Sequence, residues 1–446
     1  MLKNYFISIL RGIKKQKAYF LINTFGLTLG ITCAVIIFMI VVFQLSFNSF
    51  HKEPENIYRI VSQVDRPDET EYTPGVPYEL PLALELDYPE LKAVTTVDFN
   101  FGELQFTVTD KKGNQNRFLE KDVAAFVNPG FWEIFNYEWV SGSPENLKGK
   151  KDIIVLSESY AEKYFGSSNP IGKTLNVNVE KVYEVAGVVK DPPQNSDFPL
   201  HIIIPINEPR HTPGWGSISS AVQCFIRVPD NFNTQSFQNS LQQFIRKYMK
   251  PEDYEDKTLM LQPIEDIHFN ADYSNLTNTI FTEDKITALS LVGILLLVIS
   301  CINFINLKTA LTSIYFKEIG IRKVLGSSRA QIALRFFGET SLFVIISILI
   351  SVALLEIFLP QLEFFTGYSL ALTQIGSLNI ILFLMAVALV TSLLAGLYPS
   401  LFISSLQPEK ALKANINTST GSIPVRKILV VFQFVVSEVL IIGTII

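Results

Sequence analysis

The chain has 446 residues, 48% of them hydrophobic, with 37 basic and 42 acidic residues and a formal net charge of −5. This length is enough for two or three folded units. The three cysteines, Cys33, Cys224 and Cys301, include no CxxC pair, which excludes a disulfide framework and a cysteine-based metal site.

The first apolar block follows a basic N-terminal segment. Residues 1–20 contain basic residues and no acidic one, and we predict a cytoplasmic amphipathic segment there. The uncharged run Phe25–Phe43 is long enough to cross a hydrocarbon layer of about 30 Å as a helix. It is longer than the apolar part of a signal peptide, and no small-residue cleavage site follows it. We therefore predict a retained transmembrane helix at residues 21–45.

Further apolar blocks lie in the second half of the chain, at Ile286–Leu307, Thr340–Leu359, Ser377–Leu397 and Ile428–Ile446. The first three predict spans two to four of a transmembrane domain at residues 286–400. The last predicts the start of a fifth transmembrane helix at residues 428–446. Because the chain stops inside this apolar block, we expect the natural protein to continue.

The orientation follows from the basic residues of the short loops. They are concentrated in the N-terminal segment, in the loop 308–336 and in the linker 401–427, whereas residues 46–285 contain 22 basic and 36 acidic residues. Basic short loops remain in the cytoplasm. We therefore predict a multi-pass protein of the bacterial plasma (inner) membrane, with residues 46–285 outside the cytoplasm.

The extracytoplasmic segment mixes strand and helix patterns, which predicts an α+β domain with a second lobe after about Leu200. Local patterns predict strands at Ile57–Val64 and within Thr95–Thr109, a hairpin at Leu175–Val189, and helices at Ser157–Phe165 and Phe237–Met249. The predicted fold class is thus an α-helical transmembrane protein with a large α+β extracytoplasmic domain inserted between spans one and two.

The segment 166–174 resembles a phosphate-binding loop but departs from it in two ways. Five residues separate Gly166 from Gly172, where the phosphate-binding loop has four. Pro170 also removes a backbone N–H from a loop whose function is to donate N–H groups. We therefore predict a turn between a helix and a strand.

Catalytic residues are not predicted anywhere in the chain. The four histidines are scattered without a metal-ligand spacing, and no serine lies in a GxSxG turn. The prediction is a protein that is not an enzyme and has no catalytic residue, no cofactor and no metal.

The loop between spans two and three contains an amphipathic pattern. One side of this pattern is apolar and is interleaved with charged residues; it is formed by Ile314, Phe316, Ile319, Ile321, Val324 and Leu325. Gly326 can end this short helix before a capping box opens the next at Ser328. Such a helix is either held at the lipid surface by its basic residues or docked into a groove of a cytoplasmic partner. The residues themselves leave both interpretations open.

This loop resembles the signature of the MacB-like and FtsX-like ABC permeases. The signature residues are Lys317, Glu318, Ile319, Gly320, Ile321, Arg322, Lys323, Val324, Leu325 and Gly326. Further similar motifs occur in the expected order at Val127–Phe135, Val155–Glu158, Phe165–Lys173, Val185–Val188, Leu261–His268, Tyr398–Ser400 and Gln407–Pro408. The resemblance extends along nearly the whole chain.

The resemblance implies a permease subunit without a catalytic site. A separate cytoplasmic ABC ATPase would bind the signature helix, and its ATP-driven movement would pass to the extracytoplasmic domain, which has a porter-like core and a second lobe. The function would be export or extraction of a substrate; the alternative is an FtsX-like scaffold or sensor that regulates an extracytoplasmic partner such as a cell-wall hydrolase. Further implied partners are a second permease half (a C-terminal repeat or another chain), an extracytoplasmic adaptor and the lipid bilayer, but no nucleic acid.

Overall fold

The computed structural model describes residues 17–109, 112–178, 181–206, 214–251, 255–277, 279–310, 319–370, 377–405 and 423–445. The chain forms two compact units. The membrane unit comprises Met1–Leu45 and Asp284–Ile446, and the external unit comprises Ser46–Glu283. Most of the predicted N-terminal segment 1–20 and of the linker 401–427 lies outside the described residues.

The helices are numbered in chain order: α1 (Lys17–Leu45), α2 (Leu80–Asp87), α3 (Phe131–Ile134), α4 (Glu158–Phe165), α5 (Thr234–Tyr248), α6 (Glu283–Ala310), α7 (Arg329–Thr366), α8 (Ser377–Ser405) and α9 (Ile423–Ile445). Residues 319–324 are also helical. The strands are β1 (Ile57–Asp65), β2 (Thr70–Thr73), β3 (Val76–Pro77), β4 (Ala93–Phe99), β5 (Glu103–Thr109), β6 (Gln115–Lys121), β7 (Ala124–Val127), β8 (Trp139–Ser141), β9 (Ile153–Ser157), β10 (Thr174–Val177), β11 (Lys181–Val189), β12 (Ile202–Pro205), β13 (Ile218–Ser219), β14 (Val222–Arg227) and β15 (Lys257–Pro263).

Four helices of the membrane unit, α1, α6, α7 and α8, are long and apolar enough to cross a bilayer. Helix α7 packs against both α1 and α8. Helix α6 continues to Ala310, so Lys308, which the sequence places in the loop, is helical. Helix α9 covers most of the predicted fifth span but also contains Arg426, Lys427 and Glu438, and its crossing of the membrane stays a prediction.

Helix α7 has defined ends. At its start, the Gln331 N–H donates to Ser328 Oγ and the Ser328 N–H donates to Gln331 Oε1, which is the predicted capping box. At its end, Gly367 has a φ of +73°, a conformation that glycine adopts without steric cost. Between these caps the helix contains 38 residues, more than one bilayer crossing requires.

The external unit is built on one long mixed sheet with the strand order β15-β1-β14-β4-β7-β12-β9-β11-β10-β5-β6. Strand β2 also pairs with β1, and β8 pairs with β11. The pairs β9·β11 and β7·β12 are parallel. The sheet confirms the predicted α+β class, and the pairing of β10 with β11 confirms the predicted hairpin.

The helices cover the two ends of this sheet and form separate cores. Helices α2 and α5 pack over the β1–β14–β4 end, where Leu80, Leu84, Phe237 and Leu241 are buried together. Helix α4 packs on the other end, where its Ala161 and Tyr164 join a second cluster. On the opposite face of the sheet, to which the alternate strand residues point, lies a third cluster rich in phenylalanine, formed by Phe99, Phe131, Phe135, Phe198 and Phe225.

The position predicted for the boundary between the lobes, near Leu200, is wrong. Strand β12, which follows Leu200, pairs with β7 and β9, which precede it, and β14 pairs with β1 and β4. One end of the sheet therefore combines the first and last parts of the domain, while the other end is formed by the middle of the domain. Hydrogen bonds between distant segments decide this division, and local sequence patterns do not report them.

The segment 166–174 is the predicted turn between helix α4 and strand β10. Gly166 and Gly172 have φ values of +60° and +78°, and Gly166 ends the helix. Lys173 donates through Nζ to Ser168 Oγ and lies 4.9 Å from the ring centroid of Phe165. These contacts give the glycines and the lysine of the segment a structural role.

Candidate functional site

Residues 319–326, the described part of the signature, are called the coupling segment below, after the role that the family resemblance implies for them. Lys317 and Glu318 lie outside the described residues. The helix of the coupling segment ends in a Schellman arrangement, because the Ser327 N–H donates to the Arg322 carbonyl and the Gly326 N–H donates to the Lys323 carbonyl. Gly326 has a φ of +89°, which confirms the predicted glycine cap.

One side of the coupling segment is anchored within the membrane unit. The Ile319 side chain is 1% exposed and packs in a cluster with Ile332 and Phe336 of α7 and Ile403 of α8. Lys323 Nζ donates to the Ser404 carbonyl at 2.7 Å. The segment is therefore fixed to the cytoplasmic ends of the third and fourth spans.

The opposite side of the coupling segment is apolar and exposed. Ile321 is 54% exposed, Val324 68% and Leu325 80%. The expectation that Ile319 and Ile321 share one apolar face is wrong, because residues i and i+2 lie on different sides of a helix while i, i+3 and i+4 lie together. The exposed apolar surface of the described segment is thus formed by Ile321, Val324 and Leu325.

The cytoplasmic end of the second span is joined to the same region. Lys308 of α6 is completely buried, and its Nζ donates to the Phe336 carbonyl at 3.1 Å and to Thr340 Oγ1 at 2.6 Å. The rings of Phe304 and Phe336 lie 5.5 and 5.8 Å from the ammonium group. Because a buried ammonium is unstable without such partners, these contacts tie α6 to α7.

Hydroxyl groups join the first span to the third. Thr32 Oγ1 and Ser351 Oγ are 2.8 Å apart, and Ser347 Oγ donates to the Thr24 carbonyl at 3.2 Å. Thr24, Thr28 and Thr32 are spaced four residues apart and therefore share one face of α1. We call these residues, with Ser347 and Ser351, the hydroxyl seam. Interhelical hydrogen bonds of this kind stabilise helix pairs in a membrane.

In the external unit, the segments adjoining the first two spans are held together by a buried network. Asn48 Nδ2 donates to Asp197 Oδ2 at 2.6 Å, and Asn275 Nδ2 donates to Asp197 Oδ1 at 2.7 Å. His268 Nδ1 lies 3.0 Å from Asp197 Oδ1, and the Phe47 ring stacks on the His268 ring. These five residues are called the clamp below.

The clamp links three distant parts of the external unit. Asn48 follows the end of α1 by three residues, Asp197 lies between β11 and β12, and His268 and Asn275 lie between β15 and α6. The clamp therefore ties both membrane-adjacent segments to the body of the domain. Local sequence patterns gave no signal for the clamp, because its outermost members, Phe47 and Asn275, are more than two hundred residues apart along the chain.

A serine, a histidine and an aspartate also meet in the external unit, but not as a catalytic triad. Ser157 Oγ lies 2.9 Å from His201 Nδ1, and Asp191 Oδ1 lies 3.6 Å from the same nitrogen. A triad needs the serine and the carboxylate on different ring nitrogens. Ser157 is also completely buried. Hydrogen bonding among these three side chains is enough to explain the cluster, and no catalytic reaction is assigned to it.

The ionisation of this cluster follows from burial and hydrogen bonding. Burial lowers the pKa of His201, which disfavours a positive charge on its ring. Burial opposes ionisation of Asp191, but hydrogen bonds from Ser159 and Ser157 outweigh it and lower the pKa of the Asp191 carboxyl group. Among the described residues, no three His, Cys, Asp or Glu side chains form a group that could hold a metal ion.

Comparison with known proteins gives matches over both units. The model of the MacB-like periplasmic core domain matches residues 20–244, and that of the FtsX-like permease C-terminal domain matches residues 290–408. Among solved structures, a domain of a putative permease protein from Porphyromonas gingivalis has a TM-score of 0.42 and 17% identity, over 50% of this chain and 94% of that one. The periplasmic region of MacB from Actinobacillus actinomycetemcomitans has a TM-score of 0.33 and 18% identity, over 46% and 88%.

Curated relatives match over part of their length. The macrolide export ATP-binding/permease protein MacB of Bdellovibrio bacteriovorus is 25% identical over 61% of this chain and 40% of its own length. The protein of the same description from Aggregatibacter actinomycetemcomitans is 23% identical over 56% and 33%. The chain thus spans less than half the length of these relatives. The model of the periplasmic core domain alone matches half of the chain. Together with the FtsX-like match and the four apolar helices, this match shows that the chain belongs to the MacB-like and FtsX-like family of ABC permeases, which are multi-pass proteins of the inner membrane with an extracytoplasmic domain.

Proposed function

We propose that this chain is the permease subunit of an ABC-type system and that a separate cytoplasmic ATPase binds its coupling segment. ATP-driven movement of the ATPase is then transmitted through the membrane helices to the external unit, which acts on a substrate for export or extraction. The observation that carries the proposal is the two-sided coupling segment. Its Ile319 and Lys323 side is fixed to α7 and α8, while Ile321, Val324 and Leu325 are open to a partner.

The contacts within the membrane unit support transmission of a force. A push on the coupling segment reaches α7 and α8 through Ile319 and Lys323, and it reaches α6 through Lys308. The hydroxyl seam extends the path from α7 to α1. In the external unit the clamp joins the segments that adjoin α1 and α6 along the chain. A second permease half, supplied by another chain or a further repeat, and an extracytoplasmic adaptor belong to this proposal.

The ATPase interface is tested by replacing the exposed apolar side. We expect the double variant Ile321→Asp, Val324→Asp to insert normally but to lose its ATPase, because two apolar side chains contribute about 3–6 kcal/mol when buried in an interface. That corresponds to a loss of roughly a hundredfold or more in affinity. The measurement is the ATPase activity that copurifies with the tagged chain from membranes at low and at high salt.

The matched control is Val182→Asp, which places the same charge on a side chain that is 53% exposed in the external unit. It should leave the copurified ATPase unchanged. Arg322→Ala should weaken binding modestly and in a salt-dependent manner, as charges at an interface rim do. If the double aspartate variant retains as much ATPase as the wild type, the coupling segment is not the binding site and the lipid-surface interpretation is preferred.

A further inference from the structure

Strand β6 forms one edge of the long sheet of the external unit. It pairs with β5 over its whole length of 7 residues, in a register without a bulge. Edge strands are commonly protected by a proline, a bulge or a covering segment, because their free backbone groups can pair with a further strand. Strand β6 contains neither a proline nor a bulge.

The backbone groups of β6 that face outward can be assigned from the neighbouring strand. On the side of β5 that faces β10, the Gln105 N–H donates to Asn178 Oδ1 at 2.9 Å and the Gln105 carbonyl accepts from the Asn178 N–H at 2.8 Å. Both groups of Gln105 therefore point away from β6. Leu119 lies opposite Gln105 in the register, so its N–H and carbonyl point to the free side of β6. Because the pattern repeats every second residue, the same holds for Arg117.

The other edge of the sheet is closed by a side chain. Gln238 of α5 donates through Nε2 to the Leu259 carbonyl at 2.7 Å, and its Oε1 accepts from the Leu261 N–H at 2.7 Å. In this way Gln238 bonds to the outward backbone groups of β15. In the part of the chain that the structure describes, no side chain does this for Arg117 and Leu119. The sheet thus has one closed edge and one open edge, at β6.

The side chains of the open edge define what can pair with it. Arg117, Leu119 and Lys121 point to the same face of the strand, and Leu119 is 62% exposed. The Arg117 side chain has no ion pair or hydrogen bond with any described residue. Glu120 points to the other face, where it is buried and accepts from the Tyr164 hydroxyl group. The exposed side chains of the strand are therefore basic around an apolar centre.

A second copy of β6 does not complement this edge. Its outward residues are Gln115, Arg117, Leu119 and Lys121, so antiparallel pairing of two copies never places an acidic residue opposite Arg117. Several registers place basic residues opposite each other, which destabilises a strand pair. An extended segment with an acidic residue opposite Arg117 and an apolar residue opposite Leu119 complements both side chains. Charge complementarity therefore favours an acidic partner over a second copy.

We propose that the open edge of β6 binds an extended acidic segment of a partner protein as a further antiparallel strand. The backbone of this segment bonds to the outward groups of Arg117 and Leu119. Its acidic residue faces the Arg117 guanidinium group, and an apolar residue two positions earlier packs on Leu119. In strand addition the main-chain bonds give affinity and the alternate side chains give specificity. The site lies within the external unit and does not depend on the proposed ATPase interface.

The probe is a blocked threonine heptapeptide with valine at its third position and glutamate at its fifth. Binding to the full chain in detergent is measured by ligand-observed NMR at low salt. We expect submillimolar binding and a loss of about tenfold when lysine replaces the glutamate, because lysine then lies opposite Arg117. No binding at millimolar concentration, or equal binding of the lysine peptide, would overturn the proposal.

Methylation of the peptide backbone separates strand addition from charge attraction alone. In the proposed pairing the valine N–H faces β6, whereas the N–H of the threonine that follows it faces away. N-methylation of the valine should therefore abolish binding, and N-methylation of that threonine should have little effect. Equal effects of the two methyl groups would show that the peptide does not bind as a strand.

Two variants locate the site on the chain. Arg117→Glu should reverse the preference, so that the lysine peptide binds more tightly than the glutamate peptide. Leu119→Pro removes an outward N–H without removing a bond to β5 and should weaken both peptides about tenfold. Lys148→Glu is the control, because it reverses a charge at an exposed position outside the sheet, and it should leave the preference unchanged.

Tryptophan fluorescence during urea unfolding of each variant shows whether it is folded. If Leu119→Pro fails to fold, Arg117→Glu decides, since its side chain is exposed and contributes no contact to the core. An unchanged preference in the Arg117→Glu variant would place the peptide elsewhere and overturn the proposal.

Discussion

Asn48 and Asp197 bind each other in both directions. The Asn48 amide donates to Asp197 Oδ2 at 2.6 Å, and the Asp197 backbone N–H donates back to Asn48 Oδ1 at 3.0 Å. Asn48 has a φ of +57°, a region that asparagine tolerates better than most residues. The pair fixes the segment that follows the first span to the body of the external unit, with His268 and Asn275 completing the coordination of the carboxylate.

Removal of the Asp197 carboxylate should destabilise the external unit strongly. In the Asp197→Ala variant, Asn48, His268 and Asn275 stay buried, and each loses its contact with the carboxylate. Such a loss typically costs about 3–5 kcal/mol in the free energy of unfolding. All three tryptophans lie in the external unit, so their fluorescence during urea unfolding of the full chain reports this unit alone.

Glu71→Ala is the control for this experiment, because Glu71 forms an ion pair with Arg66 in which both side chains are more than half exposed. Such pairs contribute about 0–1 kcal/mol. If Asp197→Ala and Glu71→Ala unfold at the same urea concentration, the clamp does not stabilise the domain as described.

Features that depend on neighbouring residues could be predicted from the sequence. The glycine cap at Gly326, the capping box at Ser328 and the β10–β11 hairpin are all formed within a few residues, and each is confirmed. The helix predicted at Phe237–Met249 is also confirmed as α5. Its Phe237, Leu241 and Phe244 recur at helical spacing and are buried.

Features that depend on distant residues could not be predicted. Ile319 is buried by Ile403, and whether it faces the protein or a partner is decided by that contact and not by its own hydrophobicity. The same applies to Lys308, which a charge pattern places in a loop but which Phe336 and Thr340 hold inside the helix bundle. The Leu200 boundary failed for this reason also, because β12 and β14 return to strands from the first half of the domain.

The hydroxyl seam should contribute a small, measurable coupling between α1 and α7. A double-mutant cycle with Thr32→Val and Ser351→Ala is expected to give a coupling energy of about 0.6 kcal/mol, and not more than about 1.7 kcal/mol, as for other interhelical hydrogen bonds in membranes. Unfolding in mixed micelles with increasing SDS, followed by circular dichroism, measures it. Ser341→Ala replaces Ser351→Ala in the control cycle, because Ser341 Oγ bonds to the Phe337 carbonyl of its own helix. If the control cycle gives an equally large coupling energy, the contact between Thr32 and Ser351 is not its source.

Gly30 marks the close approach of α1 and α6. A Cβ atom at Gly30 would overlap Ser300 Oγ and Cβ, whereas one at Gly26 would meet no atom within 4 Å. We therefore expect Gly30→Ala to cost about 1–3 kcal/mol in the same SDS unfolding measurement, as overpacking does, and Gly26→Ala to have little effect. Combining Gly30→Ala with Ser300→Gly should recover part of the loss. Equal stability of the two alanine variants would mean that α1 and α6 do not meet at Gly30.

The stability of the external unit should depend on pH through His51. Burial, with a smaller contribution from the positive charge of Arg227, lowers the pKa of His51 from 6.5 in the unfolded chain to about 3 in the folded protein, so the unfolded chain binds the proton more readily. The stability from a neutral His51 is therefore complete above pH 6.5 and is lost progressively as the pH falls from 6.5 towards 3. At pH 5 the loss amounts to about 2 kcal/mol, since each pH unit in this range corresponds to about 1.4 kcal/mol.

His51→Phe removes this titration and retains the aromatic contacts with Phe50 and Phe135. The free energy of unfolding is measured for both chains by tryptophan fluorescence in urea at pH 8 and at pH 5. Between these values the wild type should lose about 2 kcal/mol more than the variant, because all other titrating groups, including His201, are present in both chains. The same loss in both would show that the His51 ring is protonated in the folded protein at pH 5.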